Sequence, residues 1–438
     1  MQSNEQEVIV IGGGVAGLAA ATFIARQGRT VRVFEQSHAL GGRARTKEQD
    51  GFYFNIGPHA LYRGGRGIEI LAELGVEPRG AVPLVSGAYA VRDGAKHTFP
   101  TGFVSLLSTS LFGLAAKFEM ARLLASLPKI DASPLMNRTV SEWLDEQIKE
   151  QEVKDFLLAL FRVATYTNAP DLMSAGAALQ QLKLAYTKNV LYIDGGWQTI
   201  VDGLAQAASK AGVIVETGAK VERVERNEKG AVRAVRLADG RSIDASVVVI
   251  ASSPQVAAAL VDRSENTSLA QWASEAVPVR AACLDVALKR LPKPKATFAL
   301  GVDRPLYLSV HSAAARLAPA GGALIHVAKY LPPDHKDAPD SVERELEGLL
   351  DLIQPAWRDE VVYRRFLPDM TVMSAVATAK RGGTKGRPGP MVEEVAGLFI
   401  AGDWVGPEGL LVDASLASAK RVAELIARCE PANVAVAV

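Results

Sequence analysis

At 438 residues, 48% of them hydrophobic, the chain is long enough for two domains, each with its own core. Its 49 basic and 48 acidic residues leave a formal charge of +1 with no basic tract or acidic tail, so nucleic acid is not an expected partner. The two cysteines, Cys283 and Cys429, are too far apart for a C-x-x-C and fit a reducing cytoplasm, and the six histidines lack zinc-type spacing, so no metal is expected.

The chain opens on the polar stretch MQSNEQE, which lacks the pattern of a secretory leader. VIVI, Val8 to Ile11, predicts a parallel strand covered on both faces. Gly12, Gly14 and Gly17 then give G-x-G-x-x-G, with Ala16 inside the same turn. The first glycine permits the tight turn, the second lets the backbone approach a pyrophosphate, and the third lets helix and strand pack closely. A helix from about Val15 to Gln27, ended by Gly28, aims its N-terminal N–H groups at that pyrophosphate. Val31 to Glu35 reads as the second strand. Glu35 stands 23 residues after Gly12, near the offset at which an acid binds ribose hydroxyls, and Gln36 follows it. The acid would repel a 2′-phosphate, which argues against NADP; NAD and FAD both remain open at this point.

HALGGRART follows, where the chain turns back over the pyrophosphate; Gly41 and Gly42 permit close approach and Arg43 can neutralise phosphate charge. The segment from Thr101, TGFVSLLSTSLFGLAAKFEMARLLASLPKI, is too interrupted for a transmembrane span. It is expected to form a buried helix of the second domain, with a resting place on a bilayer surface as the alternative. LMNRTVSEWLDEQI and VKDFLLALFRVAT carry helical periodicity, with Thr139 or Ser141 as N-cap. GVIVETGAKVERVERNEKGAVRAVRLADGRSIDASVVVIAS reads as an antiparallel meander feeding a buried strand back into the first sheet. RAACLDVALKRL and LYLSVHS read as alternating strands, GLFIAGD as a buried strand and LASAKRVAELIARC as a helix; EPANVAVAV reads as a loose tail. Residues 1–80, 190–265 and 391–438 are therefore assigned to one domain, and 81–189 with 266–390 to a second, with a helical insert over about 101–189.

Four stretches taken together, HALGGRART, FNIGPHALY, the segment DGGWQTIVDGL running on to AKVERV, and GLFIAGDWVGPEGLLVDASLASAKRVAELI, resemble the flavoproteins that include flavin amine oxidases, protoporphyrinogen oxidases and phytoene-type desaturases. The resemblance runs from residue 8 to about 428. It implies an α/β fold with a Rossmann-type FAD-binding domain assembled from discontinuous segments and an inserted α+β substrate-binding domain. It also implies non-covalent FAD. Gly42 and Arg43 would flank the pyrophosphate and ribityl chain, and Gly57, Pro58 and His59 would lie along the isoalloxazine. Val221 would meet adenine through its backbone, and Gly402 with Asp403 the ribityl chain or pyrophosphate. Leu411 and Val412 would present N–H groups to the pyrimidine edge, where a helix N-terminus stabilises negative charge.

Amine-oxidising members of that family place a lysine near the flavin, in a strand after a Pro-rich stretch. Here EAVPVRAACLDVALKRLPKP offers Arg280, Ala281 and Ala282 at that place, and Lys289 falls too near the strand end. The expected activity is therefore FAD-dependent removal of hydride from a C–H bond of an apolar or polycyclic small molecule, with reoxidation by oxygen or a quinone-type acceptor. The alternatives are an amine oxidase forming imine and hydrogen peroxide, and a non-redox flavin-binding accessory protein. A monomer or homodimer in the cytoplasm, with peripheral membrane contact at most, is expected. His59 is the candidate catalytic residue, against a loop histidine satisfied by backbone; Tyr62 is a weaker one. Trp404 is read as stacking beside the flavin or as simple packing. His311 and His326, in apparent strands, are read as structural or pocket-lining residues rather than bases.

Overall fold

The computed structural model describes residues 7–83 and 87–428; most of the polar N-terminal stretch, residues 84–86, Cys429 and the expected tail from Glu430 lie outside them. The Val8–Ile11 run is a fully buried strand at the centre of a five-stranded parallel sheet. The order is Ile214–Thr217, Val31–Glu35, Val8–Ile11, Val247–Ile250, Leu398–Ile400. Parallel strands covered on both faces require continuous apolar sequence, and VIVI and VVVI supply it. The helix Val15–Ala25 is buried along its whole length and packs against the last helix, Leu411–Arg428. It stops two residues short of the expected Gln27, and Gly28 takes φ 87° just beyond. Fold class is thus the expected one: a Rossmann-type domain built from separated pieces of chain, with an inserted α+β domain.

One expected element is corrected. Ile214–Thr217 is no part of a meander; it pairs in parallel with Val31–Glu35 as the outer strand of the first sheet. Its half-exposed residues fit an edge. The meander proper is Val221–Arg226, Val232–Leu237 and Ser242–Asp244, antiparallel throughout.

The second sheet has seven strands, ordered Val361–Met373, Val279–Leu288, Ala323–Leu331, Leu306–Val310, Phe298–Gly301, Tyr89–Arg92, Ala95–Thr98. Val279–Leu288 and Leu306–Val310 are buried on both faces, where alternation was expected. The helix Pro339–Ile353 covers one face. The other face turns toward the strand Phe52–Asn55 and the loop after it. A strand sandwiched in this way has no solvent face on which to place alternating charges.

Val140–Gln147 is the expected helix, started by a capping box between Thr139 and Glu142. Gln151–Thr165 and Ala175–Lys188 follow it. The apolar segment from Thr101 departs from the buried helix expected of it. It breaks into Phe103–Ser108 and Leu114–Ser126, and Phe103, Val104, Leu107, Leu114 and Phe118 stand in solvent. Among the described residues no helix is long and apolar enough to cross a membrane.

Candidate active site

The glycine turn is fixed by sterics. Gly12 sits at φ 110°, and a Cβ there would stand 2.7 Å from the Ala251 carbonyl oxygen. A Cβ on Gly17 would overlap the Gly12 carbonyl oxygen. Gly14 differs: it is the N-cap of the helix, no side chain caps its turn, and its Cβ position meets nothing nearer than the Gly41 oxygen at 3.9 Å. Uncapped N–H groups facing open space make an anion cradle. Ala16 is buried in the same turn. Glu35 is buried; its Oε2 accepts the Gly13 N–H at 2.7 Å and its Oε1 the Ser37 N–H at 2.8 Å. Gln36 beside it is exposed. The Gly41 N–H donates to the Gly13 oxygen at 2.8 Å, so Gly42 and Arg43 lie directly over the turn. Val221, buried, opens its strand two residues after Ala219, whose N–H donates to the Glu35 oxygen.

Asp403 closes this cradle from the far end of the chain. Its Oδ2 accepts Arg43 Nη1 at 2.7 Å and the Ser374 N–H at 3.1 Å, while the buried Oδ1 has no partner. A buried carboxylate oxygen without a donor marks a place for a ligand hydroxyl. Gly402 takes φ 154° and exchanges hydrogen bonds with the Ser418 hydroxyl. Arg387 ties the loop beyond it, donating to the carbonyls of Asp403, Glu408 and Gly409; burial lowers its guanidinium to about 10. Leu411, at φ 56°, begins the last helix with Val412 next to it, half-buried. Asp413 then accepts the Gly67 N–H at 2.8 Å, and burial raises its carboxyl to about 6. Ser374, Arg387 and Asp413 are absent from the sequence-based candidates. Their roles depend on which loops meet, and no local spacing signals that.

The candidates around His59 come together as well. Gly57 takes φ 72° under the Met370 side chain, and the Pro58 carbonyl accepts the Tyr166 hydroxyl at 3.1 Å. The ring nitrogens of His59 face the Gly57 and Arg43 carbonyls, each at 3.1 Å. Burial lowers its imidazole to about 4, so the ring is neutral near pH 7 and donates to one of the two. One carbonyl is therefore hydrogen-bonded to the ring, and the other ring nitrogen faces the second carbonyl without a hydrogen to donate. Tyr62 donates to the Ala164 carbonyl at 2.7 Å. Trp404 is packed edge-on to Trp272, with its Nε1 on the Ser252 carbonyl, which is the packing role. His326 lies in its strand, whereas His311 begins a short 3-10 turn after the Leu306–Val310 strand.

Met370 and Cys283 stand next to Gly57, in one apolar cluster with the rings of Phe99, Tyr166, Phe298, Tyr307 and Tyr330. Arg280 points away to Asp369 at 2.9 Å, Ala281 and Ala282 are buried, and Lys289 is exposed just past the strand end. The positions expected for an amine-oxidase lysine therefore carry none.

A family model described as flavin containing amine oxidoreductase matches residues 15–427. The carotenoid 3,4-desaturase of Haloarcula japonica is 28% identical over 263 residues, which are 51% of this chain and 52% of that protein. Protoporphyrinogen oxidase 2 of Arabidopsis thaliana is 29% identical over 174 residues, 39% of this chain and 34% of that protein. The chain thus spans about half the length of these relatives, or less. A solved oxidoreductase from Methanosarcina mazei superposes with TM-score 0.75 at 21% identity, over 95% of this chain and all of that one.

Proposed function

The chain belongs to the flavin-containing amine oxidoreductase family, and we propose that it binds FAD non-covalently and removes hydride from a C–H bond of an apolar or polycyclic substrate. In this reading the acceptor that reoxidises it is oxygen or a quinone. One observation carries the choice of substrate class: Met370 and Tyr166, members of an aromatic-rich apolar cluster, meet the Gly57 loop, and no lysine takes the inward positions of the Val279–Leu288 strand. The names of the desaturase and protoporphyrinogen oxidase relatives point the same way.

The residues present fit the cofactor. The uncapped turn at Gly14, with Gly12, Ala16, Gly17 and Gly42, would hold the pyrophosphate; Glu35 and Gln36 would take the adenosine ribose, and Val221 the adenine. The unpartnered Oδ1 of Asp403, beside Gly402 and Arg43, would accept a ribityl hydroxyl. Gly57, Pro58 and His59 would lie along the ring, and the N–H groups of Leu411 and Val412 would meet its pyrimidine edge. Bound flavin supplies a two-electron acceptor; the chain's residues position the substrate and exclude water. Burial pushes the Cys283 thiol well up, which supports non-covalent attachment.

The test is the visible spectrum of the purified protein before and after acid precipitation, followed by anaerobic mixing. Flavin released to the supernatant, then bleached by carotenoid or porphyrinogen substrates, is the expected result. Bleaching by amines instead would replace the desaturase reading with amine oxidation. Bound flavin that no substrate reduces would favour the accessory role.

A further inference from the structure

The loop between the Leu398–Ile400 strand and the last helix carries two of the flavin contacts assigned above: Asp403 near its start, and the N–H groups of Leu411 and Val412 at its close. It turns sharply. Gly406 takes φ 78° and Gly409 φ 64°, and Leu411, which has a Cβ, is held at φ 56°. A left-handed conformation is unfavourable for such a residue and persists only where the surroundings fix it. Arg387, just after the short 3-10 turn Gly383–Gly386, reaches across this loop. Its Nη1 donates to the Asp403 carbonyl at 2.9 Å, and its Nη2 to the carbonyls of Glu408 at 3.2 Å and Gly409 at 2.7 Å. One planar fork thus joins Asp403 to the turn that precedes Leu411. The Gly406 N–H, on the Pro388 carbonyl at 2.8 Å, adds a backbone tie to the same segment.

The guanidinium is charged, and among the described residues it has no carboxylate of its own. Burial lowers it only to about 10, which leaves it protonated through neutral pH. Its Nε is buried without a partner. The acids around it are taken by other arginines. Asp403 pairs with Arg43, Glu408 with Arg66, and Glu275, across the small cleft between Trp272 and Trp404, with Arg381. Asp413 lies against Gly409 and accepts the Gly67 N–H; among the described residues no cation pairs with it. A positive charge held partly out of water and left unpaired acts strongly on any negative charge that develops nearby.

Reduction places negative charge on the pyrimidine edge of a flavin, the edge that the N–H groups of Leu411 and Val412 would meet. We propose that Arg387 is the positioning residue of the cofactor site: it sets the Asp403–Leu411 loop so that both contacts fall in place, and its charge favours the reduced over the oxidised cofactor. In this role it touches neither flavin nor substrate. It acts through the carbonyls of Asp403, Glu408 and Gly409. The proposal rests on the FAD reading above and goes beyond it, because that reading draws its donors at the pyrimidine edge from backbone N–H groups alone. The sign of the charge effect is fixed: without the guanidinium, Asp413 is the uncompensated charge of this corner, and negative charge on the cofactor is disfavoured.

The test compares the full-length wild type with Arg387→Met, which loses both fork and charge, and Arg387→Lys, which keeps the charge without the fork. FAD titration followed by fluorescence quenching is expected to show affinity at least about tenfold weaker in both variants. The midpoint potential separates charge from shape. Arg387→Met should favour the reduced cofactor about tenfold less, a fall of about 30 mV for two electrons, while Arg387→Lys stays near wild type. Unchanged affinity and potential in a folded Arg387→Met overturn the proposal, and weaker affinity with an unmoved potential overturns the charge role. A third readout needs no flavin. Cutting after the exposed Glu408 by a glutamate-specific protease, followed by mass, should quicken at least about tenfold in the Arg387→Met apoprotein. An equal rate overturns the hold on the loop. If the wild type itself takes up no FAD, the cofactor reading fails and the charge role falls with it, while the cutting rate still decides whether Arg387 holds the loop.

Discussion

Asp403 shows how one side chain can join distant parts of the chain. Its Oδ2 holds Arg43 and the Ser374 N–H, and its Oδ1 is free for a ligand. Asp403→Ala is expected to weaken flavin binding by about 10- to 100-fold, the worth of one or two charge-assisted hydrogen bonds. Flavin titration followed by fluorescence quenching measures it; affinity unchanged within twofold would remove Asp403 from the cofactor site. Asp413 gives a second prediction, in pH. Burial, and then repulsion by Glu69, raises its carboxyl to about 6, against about 3.9 in an unfolded chain. The folded state holds the proton longer, so this group's contribution is fully present below about pH 4 and is lost as pH rises toward 6. Asp413→Asn keeps an acceptor for the Gly67 N–H. Relative to wild type, the variant should gain about 2–3 kcal/mol between pH 4 and 6.5 in urea unfolding. A difference independent of pH would show that Asp413 is not perturbed as described. Gly12, Gly14, Gly17, Glu35 and Arg43 stand out in sequence through a local backbone or charge requirement, whereas Asp403 enters only through the family resemblance. Arg387 and Asp413 do not stand out, because the meeting points of distant loops decide their partners.

At the level of elements, long periodic helices and continuous apolar strands were readable, since one face or both faces must be buried. The misread elements are those whose environment is decided far away. Ile214–Thr217 looked like a meander strand because its partner lies about 180 residues earlier. The segment from Thr101 looked like a core helix, yet Phe103, Val104, Leu107, Leu114 and Phe118 form an exposed apolar face on two short helices, with Lys117 and Arg122 beside it. An exposed apolar face with Lys117 beside it, and Arg122 paired with Glu119, would suit a bilayer surface. The protein is expected to sediment with vesicles of mixed phosphatidylcholine and phosphatidylglycerol. The double variant Phe103→Ser, Phe118→Ser should lose at least about tenfold in binding, since each buried phenyl is worth about 1.5–3 kcal/mol. Both side chains are solvent-exposed, so its melting temperature should stay near wild type. Equal sedimentation of the two proteins would count against membrane contact at this face.

The whole molecule depends on chain ends that meet. The first sheet takes strands from residues 8–35, 214–250 and 398–400, and the Val15–Ala25 helix is buried partly against the last helix. The Arg43–Asp403 pair spans 360 positions in the same region. A chain ending at Pro390 would lose the Leu398–Ile400 strand and Leu411–Arg428. It would uncover the face of the Val15–Ala25 helix packed on the last helix and leave the Val247–Ile250 strand as an open edge. It is therefore expected to lack a cooperative melting transition, rather than to retain a folded N-terminal unit. In the full chain, the proposed FAD, bridging the three pieces, would stabilise the native state by mass action, about 2.7 kcal/mol at a hundredfold excess over its Kd. Adding FAD should thus move a single transition upward, with the shift growing as the logarithm of its concentration. Two separate transitions, with FAD moving one alone, would mean that the sheets unfold independently. The ion pairs and loops that join them would then orient the cofactor without carrying the stability of the whole.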